Sequence, residues 1–134
     1  MSRDTLDLVR SVYAAWERGD FRSVEWAHRD IEYVGADGPG AGSSYGLAGM
    51  AEAMRDFLSA WEEWRVEADE YREIDAERVL VLYHFSARGK RSGLEVGQIS
   101  TKGATLFHVS DGKVIRLVQY FDRERALEAV GLRE

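Results

Sequence analysis

The 134-residue chain has no cysteine, a single proline and no long apolar run. Without cysteine there is no disulfide framework, no thiol nucleophile and no thiolate metal site, a composition that fits a reducing compartment. No run approaches the ~20 apolar residues needed to cross a bilayer. Met1 to Arg10 mixes charged and apolar residues without the apolar stretch of an export signal. The expected location is therefore the cytoplasm, with no membrane partner. Positive charge is also in short supply, with 18 Lys and Arg against 24 Asp and Glu and a net charge of −6. Nucleic acid rewards a concentrated basic face, and here only Arg88, Lys90 and Arg91 cluster, so no nucleic-acid partner is expected. The segment from Gly35 to Gly49 holds six glycines and Pro39 but no Gly-Lys-Ser/Thr opening a helix, which excludes a phosphate-binding loop of that type. The three histidines, His28, His84 and His108, show no ligand spacing, so no metal and no other cofactor is expected.

What is present is ordinary for a globular domain: 45% apolar and 31% charged residues, in a length that suits one domain over residues 1–134. The strongest local signal is near the end. Ala104 to Val109 and Val114 to Phe121 are rich in β-branched and aromatic residues and flank Asp111-Gly112, a pair suited to the positive φ angles of a two-residue hairpin turn. Pairing outward from that turn sets His108 opposite Ile115, Leu106 opposite Leu117 and Ala104 opposite Gln119. These six would share one face, with Thr105, Phe107, Val109, Val114, Arg116, Val118 and Tyr120 on the other.

Earlier in the chain, Leu6, Val9, Tyr13 and Trp16 recur at helical spacing, predicting an amphipathic helix that ends at Gly19. Asp20 reads as the N-cap of a short second helix, Phe21 to His28. Ile31, Tyr33 and Gly35 read as a strand, and the glycine-rich segment after it as a loop with a brief strand at Ser44-Tyr45. Met50, Met54, Phe57, Leu58, Trp61 and Trp64 predict a third helix of about four turns. Val66 to Ile74 alternates weakly, as a strand with a wet side does. Its Asp69, Glu70 and Glu73, with Asp75 and Glu77 beyond, are dispersed over both faces and the turn and form a solvated edge rather than a metal site. Val79 to Ala87 is apolar enough for a central strand, Leu94 to Thr101 begins another, and Gly103 bends or bulges it. A last helix, Arg123 to Val130, is capped by Asp122 and stopped by Gly131. Helices gathered ahead of a run of antiparallel strands predict an α+β domain with the helices over one concave sheet face.

Ser92-Gly93-Leu94-Glu95-Val96, Asp111-Gly112-Lys113-Val114-Ile115, Tyr120-Phe121-Asp122-Arg123 and Ala126 to Leu132 carry a resemblance. So do Trp16-Glu17-Arg18-Gly19-Asp20 and His28 to Tyr33. Together they resemble the SnoaL-like branch of the nuclear-transport-factor-2-like superfamily over nearly the whole chain. The resemblance implies a cone: a curved mixed or antiparallel sheet covered by three N-terminal helices, with a short C-terminal helix. It also implies a pocket for a small hydrophobic molecule and a homodimer formed through the sheet. Relatives include polyketide cyclases, a steroid isomerase, epoxide hydrolases, dehydratases and proteins without catalysis, and a fold shared so widely does not choose among them. The hydrolases' Arg-x-Asp pair on a central strand is absent from Leu82-Tyr83-His84, which argues against that route.

Three residues are candidates for chemistry. The resemblance favours Asp122, whose counterpart after Tyr-Phe acts as an acid or base in some relatives; its alternative role is the helix N-cap. Gln119, a polar group on the more apolar hairpin face, either orients a ligand carbonyl or enolate or is a buried amide satisfied by backbone. His108 shares that face near the turn and is either a general base or a surface histidine. His84 alternates against Tyr83 and Phe85, so one set faces inward. The candidate pocket walls are Tyr13, Trp16, Trp26 and Tyr33 from the first half, with Phe57, Trp61, Tyr83, Phe85 and Phe121 after them; the alternative for each is plain packing. Two functions follow: a cofactor-independent isomerase, cyclase or dehydratase using general acid/base chemistry, or a non-catalytic binding or dimerisation module.

Overall fold

The computed structural model describes residues 2–21, 24–37, 42–59, 61–89 and 99–131, with backbone alone at 2–4, 61–63, 87–89 and 99–101. The order is α1 (Ser2–Glu17), β1 (Ala27–Gly35), β2 (Gly42–Tyr45), α2 (Gly46–Ser59), β3 (Trp61–Glu73), β4 (Arg78–Gly89), β5 (Ile99–Ser110), β6 (Lys113–Tyr120) and α3 (Arg123–Ala129). One six-stranded sheet runs β2-β1-β6-β5-β4-β3, with β1 parallel to β6 and every other pair antiparallel.

Helix α1 buries Val9, Val12, Tyr13 and Trp16, the stripe its spacing predicts, and Gly19 leaves it at φ 84°. The short second helix expected over 21–28 is not present among the described residues. Ala27 N–H bonds the Val24 carbonyl at 3.0 Å to close a turn, and β1 starts there. Tertiary contacts outweigh local helix propensity: Phe21 stacks on Trp16 at 6.3 Å and Trp26 meets it edge-on at 5.9 Å. His28, expected at a helix end, instead accepts the Asp30 N–H on Nδ1 within the strand.

Helix α2 also differs from expectation. It starts at Gly46, whose φ is 79°, and ends at Ser59, whose hydroxyl bonds the Asp56 carbonyl at 2.8 Å. Trp61 and Trp64 lie on β3 instead, where pairing of Trp61 with Gly89 and Trp64 with Ala87 supplies the backbone partners. The brief strand at Ser44-Tyr45 is the end of β2. Gly103 does not break register, since Tyr83 pairs with it and Leu82 with Ala104 in unbroken sequence. The Ser92 to Val96 motif, and the Leu94 to Val96 start of the strand expected there, lie outside the described residues.

The hairpin turn is as predicted, with Asp111 at φ 52° and Gly112 at φ 76°. Its register is not. Val109 pairs with Val114 but His108 pairs with Arg116, so Ile115 is an extra residue in β6 and every later pair moves by one. Because side chains alternate with period two, that shift regroups the faces. Thr105, Phe107, Leu117 and Gln119 turn toward α1 and α2. Leu106, His108, Arg116 and Val118 turn away.

Each sheet face has its own apolar cluster. Val79, Val81, Tyr83, Phe85, Phe107 and Leu117 pack with α1 and α2, while Leu80, Leu82, Ala104, Leu106, Val118 and Tyr120 pack under Ala126 and Leu127 of α3. The helices ahead of the strands, α1 and α2, therefore cover one face as expected, and the C-terminal α3 packs on the other. Asp37 fastens the crossing into α3, its carboxylate accepting the Phe121 N–H at 2.6 Å and the Asp122 N–H at 3.3 Å.

Candidate functional site

Between α1, α2 and the inner sheet face lies a hollow of about 560 Å³. Tyr13 and Trp16 of α1, Met54, Phe57 and Leu58 of α2, and Trp64, Val66 and Phe121 supply its apolar wall. One end is an aromatic nest: Trp64 lies 4.9 Å edge-on from Phe57 and 4.6 Å from Phe85, and Phe121 lies 5.5 Å from both phenylalanines.

The polar end follows from strand register. Thr105 stands directly across from Gln119 on the β5–β6 ladder, and Gln119 stands across from Gly35 on the other side, which makes Tyr33 its diagonal neighbour. Thr105 Oγ1 donates to Gln119 Oε1 at 2.7 Å, the Tyr13 phenol lies 2.9 Å from Thr105 Oγ1, and the Gln119 side chain lies beside the Tyr33 phenol, where it favours the ionised form against burial. Tyr83, over Gly103, donates its hydroxyl to the Tyr120 carbonyl at 3.2 Å. Burial disfavours ionising each of these phenols: it raises Tyr13 and Tyr83 well above the ordinary tyrosine value and pushes Tyr33 up to about 12. The polar end is thus a chain of neutral hydrogen-bonding groups.

Of the wall residues expected from sequence, Tyr13, Trp16, Tyr33, Phe57, Tyr83 and Phe121 line the hollow. Trp26 packs behind Trp16, and Phe85 packs behind Trp64 and Phe121. The Trp61 side chain lies outside the described residues. Gln119 lines the hollow; Asp122 and His108 do not join it. Asp122 is the N-cap of α3, its Oδ1 accepting the Glu124 N–H at 3.0 Å. His108 sits on the outer face with Arg78, Leu106, Arg116 and Val118, because the extra residue at Ile115 turns the face it was read with. His84 also points outward, with Nδ1 2.7 Å from Asp69 and Nε2 3.2 Å from Glu67, while Arg123 reaches Asp69 at 2.8 Å and the Tyr83 carbonyl at 2.7 Å. Partial burial works to raise the Asp69 carboxyl, but hydrogen bonds and charge from Arg123 and His84 outweigh it and hold the group below its usual value.

Thr105, fully buried, was missed as a site residue because alternation in the expected register assigns it to the opposite face from Gln119. Glu52 and Asp56, the carboxylates of α2 that line the hollow, share one helix face by their four-residue spacing, a pattern readable in sequence. Among the described residues no cluster of His, Asp and Glu could hold a metal ion, and no helix is long and apolar enough to cross a membrane.

Helices over one face of a mixed six-stranded sheet, a third helix on the other and a hollow between define a nuclear-transport-factor-2-like α+β protein. Residues 9–117 match the family model described as the SnoaL-like domain, and the chain belongs to that family. Solved structures share the fold. They include TerC co-crystallised with polyporic acid, 20% identical over 95% of this chain and 98% of that one, TM-score 0.74. A proposed polyketide cyclase from Xanthomonas campestris pv. campestris is 19% identical over 97% and 98%, TM-score 0.71. A protein of unknown function from Burkholderia pseudomallei is 18% identical over 96% and 98%, TM-score 0.75. No curated protein sequence matches the chain significantly.

Proposed function

We propose that the chain binds a small, flat, largely apolar molecule in the hollow, with an oxygen of that molecule against Gln119 and Tyr33. The observation that carries this reading is a space of about 560 Å³ with aromatic walls, the polar groups of Gln119 and Tyr33 on its sheet side and the carboxylates of Glu52 and Asp56 on α2. Small-molecule sites have that make-up: a concave apolar surface of roughly 300–1,000 Å³ with a few converging polar groups. TerC, of the same fold, was crystallised with a small molecule, which supports the same use here. Trp16 and Trp64 line the wall, so tryptophan fluorescence reports occupancy. The tricyclic probe 9-fluorenone should quench it saturably, and Ala53→Trp, which fills the hollow from α2, should abolish the effect while leaving a cooperative melt. Absence of saturable quenching, or quenching unchanged in Ala53→Trp, overturns the reading.

A second reading, a cofactor-free isomerase or cyclase in the same hollow, is favoured by Glu52 and Asp56. They put carboxylates beside the apolar space, where Asp122 and His108 do not reach. In that reading Gln119 holds the oxygen and an α2 carboxylate moves the proton. Exchange of α-carbon protons of 2-tetralone in deuterated water, lost in Asp56→Asn or Glu52→Gln, tests it; exchange at the buffer rate removes it. Pairing of two copies through the outer sheet face belongs to the same proposal. Sedimentation equilibrium decides it, and a monomer at all concentrations removes it.

A further inference from the structure

The hydrogen bonds behind the hollow have a direction, and that direction fixes what the hollow presents. Tyr13 is about 1% exposed and Thr105 fully buried, and the Tyr13 phenol has Thr105 Oγ1 as its hydrogen-bond partner. A buried O–H left without an acceptor costs roughly 1–3 kcal/mol, so the Tyr13 proton goes to Thr105. A hydroxyl has one proton, and Thr105 passes its own to Gln119 Oε1 at 2.7 Å. The Gln119 amide is thereby held with its carbonyl oxygen turned back toward β5 and its NH₂ turned toward Tyr33 and the open space. The Tyr33 phenol lies beside that side chain. The Gln119 N–H groups and the Tyr33 O–H have no acceptor in a hydrogen bond among the described residues.

Resting on the binding reading above, we infer that Tyr13 and Thr105 are positioning residues that set the specificity of the hollow. By orienting the Gln119 amide they make the Gln119–Tyr33 pole a hydrogen-bond donor and select ligands that carry a carbonyl oxygen there. A methylene leaves both donors unpaired when it displaces water, and a carbinol that gives its own proton to the Tyr33 oxygen cannot also accept the Tyr33 O–H, as a carbonyl does. Neither positioning residue needs to touch the ligand through its hydroxyl, and Thr105 does not line the space at all.

Three probes of one shape separate the possibilities: 9-fluorenone, fluorene and 9-fluorenol, titrated by tryptophan quenching. The wild-type protein should bind the ketone about tenfold or more tighter than the hydrocarbon, and tighter than the carbinol. Thr105→Val removes the orienting hydroxyl at nearly constant volume and should bring both ratios to within about threefold of one, while Thr105→Ser, which keeps the hydroxyl, restores them. A merely structural role for Thr105 would lower the melting temperature without changing the ratios. If the ketone preference survives in Thr105→Val, or the wild-type protein prefers the carbinol, the inference is overturned. If fluorene binds as tightly as the ketone, the inference falls and the binding reading stands. If none of the three binds, both fall.

Discussion

The Tyr83 ring lies directly on Gly103 of the neighbouring strand, where an added β-carbon would come within 2.7 Å of the ring and 2.5 Å of the Tyr120 carbonyl. Glycine is required there by close approach, not by a bend, since the β4–β5 register runs through it unbroken. Gly103→Ala should cost roughly 2–3 kcal/mol, because one of the clashing atoms is backbone and cannot rotate away. Urea unfolding measures it; a loss below about 0.5 kcal/mol would mean that the ring has room to move.

Asp37 should be worth more than its place in a loop suggests. Its side chain is about 12% exposed and takes the amides of Phe121 and Asp122. Asp37→Ala strands the part-buried Phe121 amide and leaves the exposed Asp122 amide to water, and should destabilise by roughly 1–2 kcal/mol, with Asp37→Asn losing less because one acceptor oxygen remains. Equal losses for the two variants in urea would show that the Phe121 amide finds water too.

Asp122→Ala separates capping from chemistry. Loss of the bond to the Glu124 amide should cost about 1 kcal/mol, and Asp122→Ser should recover most of it. Affinity for 9-fluorenone in the folded protein should stay at the wild-type value. A specific drop in affinity at unchanged stability would return Asp122 to the site.

Alkali should unfold the protein through its inner phenols. Free tyrosine ionises near pH 10, whereas Tyr33 holds its proton to about 12 and Tyr13 and Tyr83 are also raised by burial. Between those values the unfolded chain has given up protons that the native one keeps. Stability is then complete below about pH 10 and falls as pH rises, by up to about 1.4 kcal/mol per pH unit for each such phenol. Tyr33→Phe should flatten the alkaline limb of a stability–pH curve measured in urea; an unchanged slope would show that Tyr33 ionises freely in the fold.

The acid limb should depend on Asp69. Arg123 and His84 hold its carboxyl below the ordinary value against partial burial, and Glu67 shares the same imidazole. A depressed carboxyl contributes stability above about pH 4 that is lost as pH falls through the native value. Asp69→Asn should make stability fall less steeply below about pH 4, and an unchanged slope would assign the acid sensitivity elsewhere.

Much of this protein could be read along the chain. The apolar stripe from Leu6 to Trp16, the Asp111-Gly112 turn, the Asp122 cap and the near-continuous apolar run of β4 are local patterns. Periodicity and turn chemistry suffice for them because the physical cause lies within a few residues. Six of the nine expected wall residues line the hollow for the same reason, as large side chains on faces that had to be buried.

Tertiary structure decided the rest. That the described part of 21–28 is not helical goes with contacts of Phe21 and Trp26 with Trp16, and whether Trp64 ends a helix or sits in a strand was settled by a partner more than twenty residues away. The chemistry of the hollow turned on one unpaired residue, Ile115. A strand repeats every two residues, so a single insertion exchanges inside for outside: it sent His108 to the outer face and brought Thr105 beneath Gln119. Sequence determined that a polar group would stand among apolar ones on this hairpin, and only the pairing of distant strands determined which groups hold it and which way it faces.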